Sequence, residues 1–455
     1  MKSDNKKHII LRENFPFFTF LLVSFAVVFG LASSNFFVSG DTVVLMNSIK
    51  TISDCLENGN FTICPSVAHF PLSQHLIGYL FYKSGIPIEN LLGSFKILNL
   101  FAWFFGLLIP AFFWRNKKHL PALLIYFIVY ISSPLWWYGN TSFNEILSAT
   151  LISLFLLSLM YTSYLPFLTS FFVVLTKEVA FLYVVAWSIA IAVIKFKEDK
   201  GNAKRTVLSA LAGTTLGLTF QVLFNFWRFN SPINNELLLP IYRVPTFEVK
   251  LNFFLAQWFG PNVGILYFWP ALTVLFVMYF RFHKTWKWYF SRLTVGLFLL
   301  SVTIGFALWC APFGWVAYGH RLIVPWLPGL TLFLLYSGND TISKSLNEIA
   351  SSPFLKYFVS LAVTALTMPN IAILFNINNI SNFFVPDSVC PTPAILQTDA
   401  NYYYKCIQHY AWDANWIHSV TFSHTDWPKA GLAIAIGLIS LVALFYKLLK
   451  ATRET

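Results

Sequence analysis

Apolar runs long enough to span a bilayer recur along almost the whole chain, separated by short polar connectors. A spanning helix needs about 20 mainly apolar residues. Twelve segments approach or meet that length: Phe15–Ser33, Leu91–Trp114, Leu120–Trp137, Phe143–Met160, Leu165–Leu175, Val179–Ile194, Val207–Phe226, Val263–Phe280, Leu293–Cys310, Leu322–Leu335, Leu355–Phe375 and Ala430–Tyr446. The fifth and sixth form one apolar run interrupted at Lys177-Glu178. Membranes accept such a break where protein or a cavity surrounds it. The first segment carries a basic flank (Lys2, Lys6, Lys7, Arg12), as a signal peptide does. It is long enough to span and lacks a small-x-small cleavage site, so it reads as an uncleaved helix. The expected fold is all-α: one polytopic transmembrane domain over residues 1–455 with about 12 spans. Interfacial helices are expected in the outer loops, with the first (35–90) holding them and a C-terminal outer loop at 376–429.

Composition removes the other classes. Of the 455 residues, 57% are hydrophobic and 11% charged, against about 25% charged in an ordinary soluble domain. There are too few charges to coat a soluble enzyme of this size. Aromatic residues reach 19%, with 49 Phe, which suits lipid-facing and interfacial positions.

The net charge of +12 is a topology signal. With the N-terminus inside, the inside loops hold 21 of the 31 Lys and Arg, which is the positive-inside pattern. Both termini are expected in the cytoplasm of a cell inner (plasma) membrane, with membrane lipids as partners and no nucleic acid. The outer side, with its long loops, holds 12 of the 19 acids, so chemistry is expected on the extracytoplasmic face. Of five cysteines, Cys55 and Cys64 share the first outer loop and Cys390 and Cys406 the last. Two local disulfides fit an oxidising compartment, with free thiols as the alternative. Cys310 reads as a packed core residue.

Charge at a membrane boundary is costly and marks candidate chemistry. Asp41, in Ser39-Gly40-Asp41-Thr42 just beyond the first helix, is a candidate general base, metal ligand or helix cap. His69 opens His69-Phe70-Pro71-Leu72, which reads as the start of a Pro-initiated interfacial helix, either touching substrate or only the membrane surface. Glu145 begins an outer helix end, where an acid is favoured by the dipole alone. Lys177 suits a lipid phosphate or snorkels. Arg321 ends Gly314-Trp315-Val316-Ala317-Tyr318-Gly319-His320-Arg321, before a helix. A planar guanidinium beside a helix start suits phosphate, and an interfacial anchor is the plain alternative. Tyr318 and His320 share that segment and are candidate substrate contacts. His409, His418, His424, Asp413 and Asp426 crowd the last outer loop without zinc spacing, so no metal site is expected there. Phosphate-binding Gly-rich loops, dinucleotide fingerprints and nucleophile elbows are absent.

Six short motifs, in order, resemble the GT-C superfamily of polytopic glycosyltransferases, most closely bacterial proteins of the protein-O-mannosyltransferase and lipid A aminoarabinose transferase type. They are Ser39-Gly40-Asp41, His69-Phe70-Pro71-Leu72 (one Pro replaced by Phe70), Leu175-Thr176-Lys177-Glu178, the helix exit Asn225 to Pro232 (its Gly replaced by Asn230), Gly264 to Pro270, and Gly314-Trp315, Tyr318-Gly319-His320-Arg321 with Pro325 and Pro328. The resemblance runs to about Leu335; the loop 376–429 matches no family motif. It implies a polyprenyl-phosphate sugar donor whose phosphate is bound by Arg321 and Lys177. Asp41 is implied as the base on an acceptor hydroxyl (lipid, glycan or protein), in one inverting displacement. It implies no certain cofactor, with a divalent cation left open. The competing classes are a transporter or flippase of lipid-linked glycans, disfavoured by the lack of an internal repeat, and a scaffolding subunit, which would tolerate loss of Asp41.

Overall fold

The computed structural model describes residues 40–59, 64, 67–68, 70–114, 120–131, 133–139, 141–142, 144–177, 179–196, 199–233, 243–244, 246–269, 286–314, 320–338, 399–413, 426–432 and 435–436. The described residues form an all-α fold: α1 (Gly40–Glu57), α2 (Leu72–Lys83), α3 (Leu91–Phe113), α4 (Leu120–Ile131), α5 (Leu135–Tyr138), α6 (Glu145–Tyr161), α7 (Leu165–Thr176), α8 (Ala180–Phe196), α9 (Lys200–Phe229), α10 (Phe247–Phe259), α11 (Ile265–Phe268), α12 (Trp286–Ala307), α13 (Val324–Gly338) and α14 (Ala400–Trp412). Among the described residues, three helices are long and apolar enough to cross a membrane, spanning Ile88–Phe113, Lys200–Phe229 and Tyr289–Ala307. Their solvent-accessible faces are apolar stripes at helical period. On α3 the stripe is Ile97, Phe101, Phe105, Leu108 and Phe112; on α12 it is Leu293, Leu297, Leu300 and Ile304, with Leu308 just past the helix end. In water such stripes would be unfavourable; against lipid they are the expected surface. The protein is thus a polytopic membrane protein. The expected spans at 15–33 and 355–375, and most of those at 263–280 and 430–446, lie outside the described residues.

Local sequence explains the helix limits. Asp199 caps α9 by accepting from the Asn202 amide at 3.1 Å, and Thr246 and Asp399 do the same for α10 and α14. α9 ends at Asn230, whose φ of 52° is left-handed. Asn is the side chain that best tolerates the conformation Gly otherwise supplies, so the Gly-to-Asn departure in that motif keeps the turn. One expected segment is modified and one expected break is found. The 120–137 segment is two helices, α4 and α5, separated around Ser133-Pro134, because the residue before proline disfavours helix. The run around Lys177 is two helices, with Lys177 extended at φ −148° and ψ 118°.

The core is built on α6, which is buried along most of its length between α3, α7, α8 and α13. α9 packs tightly on α7 through Gly213 and Gly217, four residues apart. A Cβ on Gly213 would lie 2.0 Å from the Phe167 carbonyl oxygen, and the Ser170 hydroxyl donates to the Ala210 carbonyl at 2.9 Å. Close backbone approach through small residues is how helices associate in lipid. Gly213→Val is expected to force α7 and α9 apart and destabilise the fold by roughly 1–3 kcal/mol. An unchanged unfolding midpoint in detergent would contradict that packing.

Two further helices lie outside the spans read from the sequence. α10 carries exposed Phe247, Leu251, Leu255 and Phe259 on one face and buried Phe253, Ala256 and Gln257 on the other. α14 lies on it: Tyr403, Tyr404, Ile407 and Ala411 join Phe253, Ala256, Cys310 and Phe313 in a second apolar cluster. Asn262 ties the two together by donating to the carbonyls of Tyr410 and Asp413.

Candidate functional site

The site is organised by the turn at 138–145, which receives side chains from several helices. The Asn99 amide donates to the Thr141 carbonyl at 3.0 Å. Gln74, from α2, donates to the Ser142 carbonyl at 3.1 Å. Thr42, from the first turn of α1, shares a 2.8 Å hydrogen bond with the Ser142 hydroxyl. Asn144 donates to the Thr176 carbonyl at 2.8 Å. One short turn therefore brings together the start of α1, the start of α6 and the break between α7 and α8.

Glu145 and Arg321 meet there. Glu145 is the first residue of α6 and only 1% exposed. Its Oε1 accepts from Arg321 Nε at 2.8 Å, and its Oε2 has no hydrogen-bond partner. Lys177 lies between α7 and α8, outside both. Burial holds its ammonium below the ordinary lysine range, Glu145 pulls the other way, and Arg321 adds to the lowering. The three charges thus act on one another. Two basic side chains, rich in hydrogen-bond donors, stand with one carboxylate in the described cluster, a set that suits an anion. No group of three or more His, Cys, Asp or Glu suited to a metal converges among the described residues.

His320 points the other way, into the protein. It is 2% exposed. Its Nε2 lies 2.8 Å from Gln257 Oε1 on α10, and Phe306 and Phe313 flank its ring at 5.8 Å. Burial pulls its pKa from near 6.5 down to about 3. The unfolded chain therefore binds a proton that the folded one refuses between those values. His320 costs nothing above pH 6.5 and destabilises progressively as pH falls toward 3, by up to roughly 1.4 kcal/mol per unit. His320→Gln should flatten this dependence, seen as a smaller drop in unfolding midpoint between pH 7 and pH 4.5 than in the unaltered protein. An identical drop in both would mean that the histidine is protonated in place.

The other candidate residues fall as follows. Asp41 occupies the first turn of α1, next to Thr42; its side chain lies outside the description. His69, Tyr318 and Cys390 lie outside the described residues. Cys55 and Cys64 are joined by a disulfide with Cα atoms 5.9 Å apart. Cys406 is disulfide-bonded, and Cys310 is buried and free. Three further residues matter to the site; Gly314 and Arg228 lie within quoted motifs but were given no role, and Gln257 lies in none. Gln257 is signalled only as a lone amide within an aromatic helix. Gly314, at φ 92°, lets the Arg321 stem lie against its backbone; a Cβ there would sit 3.0 Å from Arg321 Cβ and Cδ. Arg228, at the end of α9, donates to the carbonyls of Ala68 and Phe70 at 2.7 and 2.6 Å. It thereby fastens the segment that leads into α2.

No protein-family model matches the chain, and no curated protein matches it. Two solved structures are similar in chain path, both of ArnT from Cupriavidus metallidurans. The apo form has 13% sequence identity and a TM-score of 0.44, covering 93% of this chain and 76% of that one. The form bound to undecaprenyl phosphate has 12% identity and a TM-score of 0.44, covering 93% and 77%.

Proposed function

We propose that this protein is an integral-membrane glycosyltransferase that moves a sugar from a polyprenyl-phosphate donor to an acceptor on the extracytoplasmic face. The observation that carries the reading is the cluster of Glu145, Arg321 and Lys177 beside the start of α1. Lys177 and Arg321 come from separate motifs of the GT-C resemblance, and all three residues come from distant parts of the chain. Their hydrogen-bond donors suit a phosphodiester, and exposed apolar helix faces offer the donor's hydrocarbon tail a lipid route to the site.

In this reading Arg321 and Lys177 hold the donor phosphate. Asp41 takes the proton of the acceptor hydroxyl, whose oxygen attacks the anomeric carbon. The bond from that carbon to the phosphate oxygen breaks, and its electron pair leaves with polyprenyl phosphate. Negative charge grows on the leaving phosphate in the transition state, where fixed cations stabilise it most. The single displacement inverts the anomeric centre. The acceptor is a lipid, glycan or protein, and both chain termini are placed in the cytoplasm by the charge pattern.

The test uses purified full-length protein in lipid nanodiscs with a panel of labelled polyprenyl-phosphate sugars and an envelope extract as acceptor source. Acceptor-dependent release of polyprenyl phosphate is the expected result. Movement of intact donor across vesicles without release would favour a flippase instead.

A further inference from the structure

We infer that Gln257 and His320 form an uncharged latch that positions Arg321, so that helix α10 sets how the donor phosphate is gripped. The inference rests on the donor-binding reading of Arg321. Gln257 is fully buried and its Nε2 donates to the Thr303 carbonyl on α12 at 2.8 Å. That bond fixes the amide orientation, turning Oε1 toward His320. The 2.8 Å contact between them then requires the hydrogen on His320 Nε2, with Gln257 accepting. Nδ1 is left buried without a hydrogen-bond partner. This arrangement works only for neutral imidazole, which agrees with the downward pull that burial exerts on this histidine.

The consecutive side chains of His320 and Arg321 are held from opposite sides. His320 is tied to α10, and its carbonyl accepts from the amides of Ile323 and Val324 at 3.1 Å, closing the turn that begins α13. Arg321 is tied to Glu145 on α6 and lies over Gly314. The turn is thus clamped between a buried and a part-buried hydrogen bond, and losing the α10 side lets the guanidinium drift from its place. His320 acts through Arg321 and is a positioning residue in this account.

The experiment is a double-mutant cycle on the full-length protein in nanodiscs, reading affinity for a polyprenyl-phosphate sugar and single-turnover rate. Gln257→Ala and His320→Ala are each expected to weaken donor binding about tenfold, with the double variant no worse than either alone. His320→Gln, whose amide can replace the Nε2 donor, should recover most of the loss. Gln257→Asn, which keeps the amide but shortens its reach, should not recover it; this pair reports even if the alanine variants fail to fold. In an Arg321→Ala background, Gln257→Ala should add nothing. Additive losses, or a His320→Ala defect without a Gln257→Ala defect, would overturn the latch alone and make His320 a direct substrate contact. An Arg321→Ala protein with unchanged donor affinity would overturn the donor-site reading, and the latch with it.

Discussion

Replacing Asp41 with Asn is expected to lower turnover by roughly 10²–10⁴-fold, the usual range for loss of a general base. Donor affinity should hardly change, because the amide has the shape of the carboxylate but cannot take a proton. The residue lies in the first turn of α1, and the Thr42–Ser142 hydrogen bond brings that turn to the segment that starts α6 and carries Glu145. A base on the acceptor must sit within reach of the reacting carbon, beside the cations that hold the leaving phosphate. The measurement is single-turnover rate against donor affinity, with unfolding midpoint as control. A folded Asp41→Asn protein with nearly full activity would remove the base assignment. Glu145, through its unpartnered Oε2, would then be the next acid to test.

Arg321→Ala should do two things at once. It should weaken donor binding as well as turnover, since the guanidinium is proposed to hold the phosphate in both ground and transition states. It should also destabilise the fold, because Glu145 is left buried with neither carboxylate oxygen paired to the arginine. Breaking a buried pair from one side costs about 3–5 kcal/mol. The combination Arg321→Ala with Glu145→Gln should restore much of the stability while leaving donor binding weak. That split separates the structural part of the pair from its binding part. Arg321→Lys should rescue only partly, since a point charge replaces a planar fork. If the double variant regained donor affinity along with stability, Arg321 would be a structural partner of Glu145 and not the phosphate ligand.

The legible part of this protein is its one-dimensional part. Apolar length is a local property, so α3, α9 and α12 follow from the sequence with only their ends shifted. The break at Lys177 was visible because a charged pair interrupts an apolar run, and the split at Ser133-Pro134 was missed because the apolar pattern continues across it. α10 and α14 escaped because they are amphipathic and too short to span; their caps, Thr246 and Asp399, were readable, but a cap alone does not make a helix. Motif order pointed to Lys177 and Arg321 as a pair of cations. It did not indicate that Glu145 would lie against Arg321, 176 positions away.

What the sequence determined by itself is the all-α membrane class, most helix positions, and which charged residues stand at helix ends, because desolvation and helix geometry act on neighbours in the chain. The tertiary structure alone decided which of those residues meet. Glu145 joins Arg321 and senses Lys177 because α6, α13 and the α7–α8 break converge on one turn, and His320 faces Gln257 because α10 folds back onto α12. Those meetings depend on how helices distant in sequence pack side by side, and no periodicity within a single helix encodes the register between two of them.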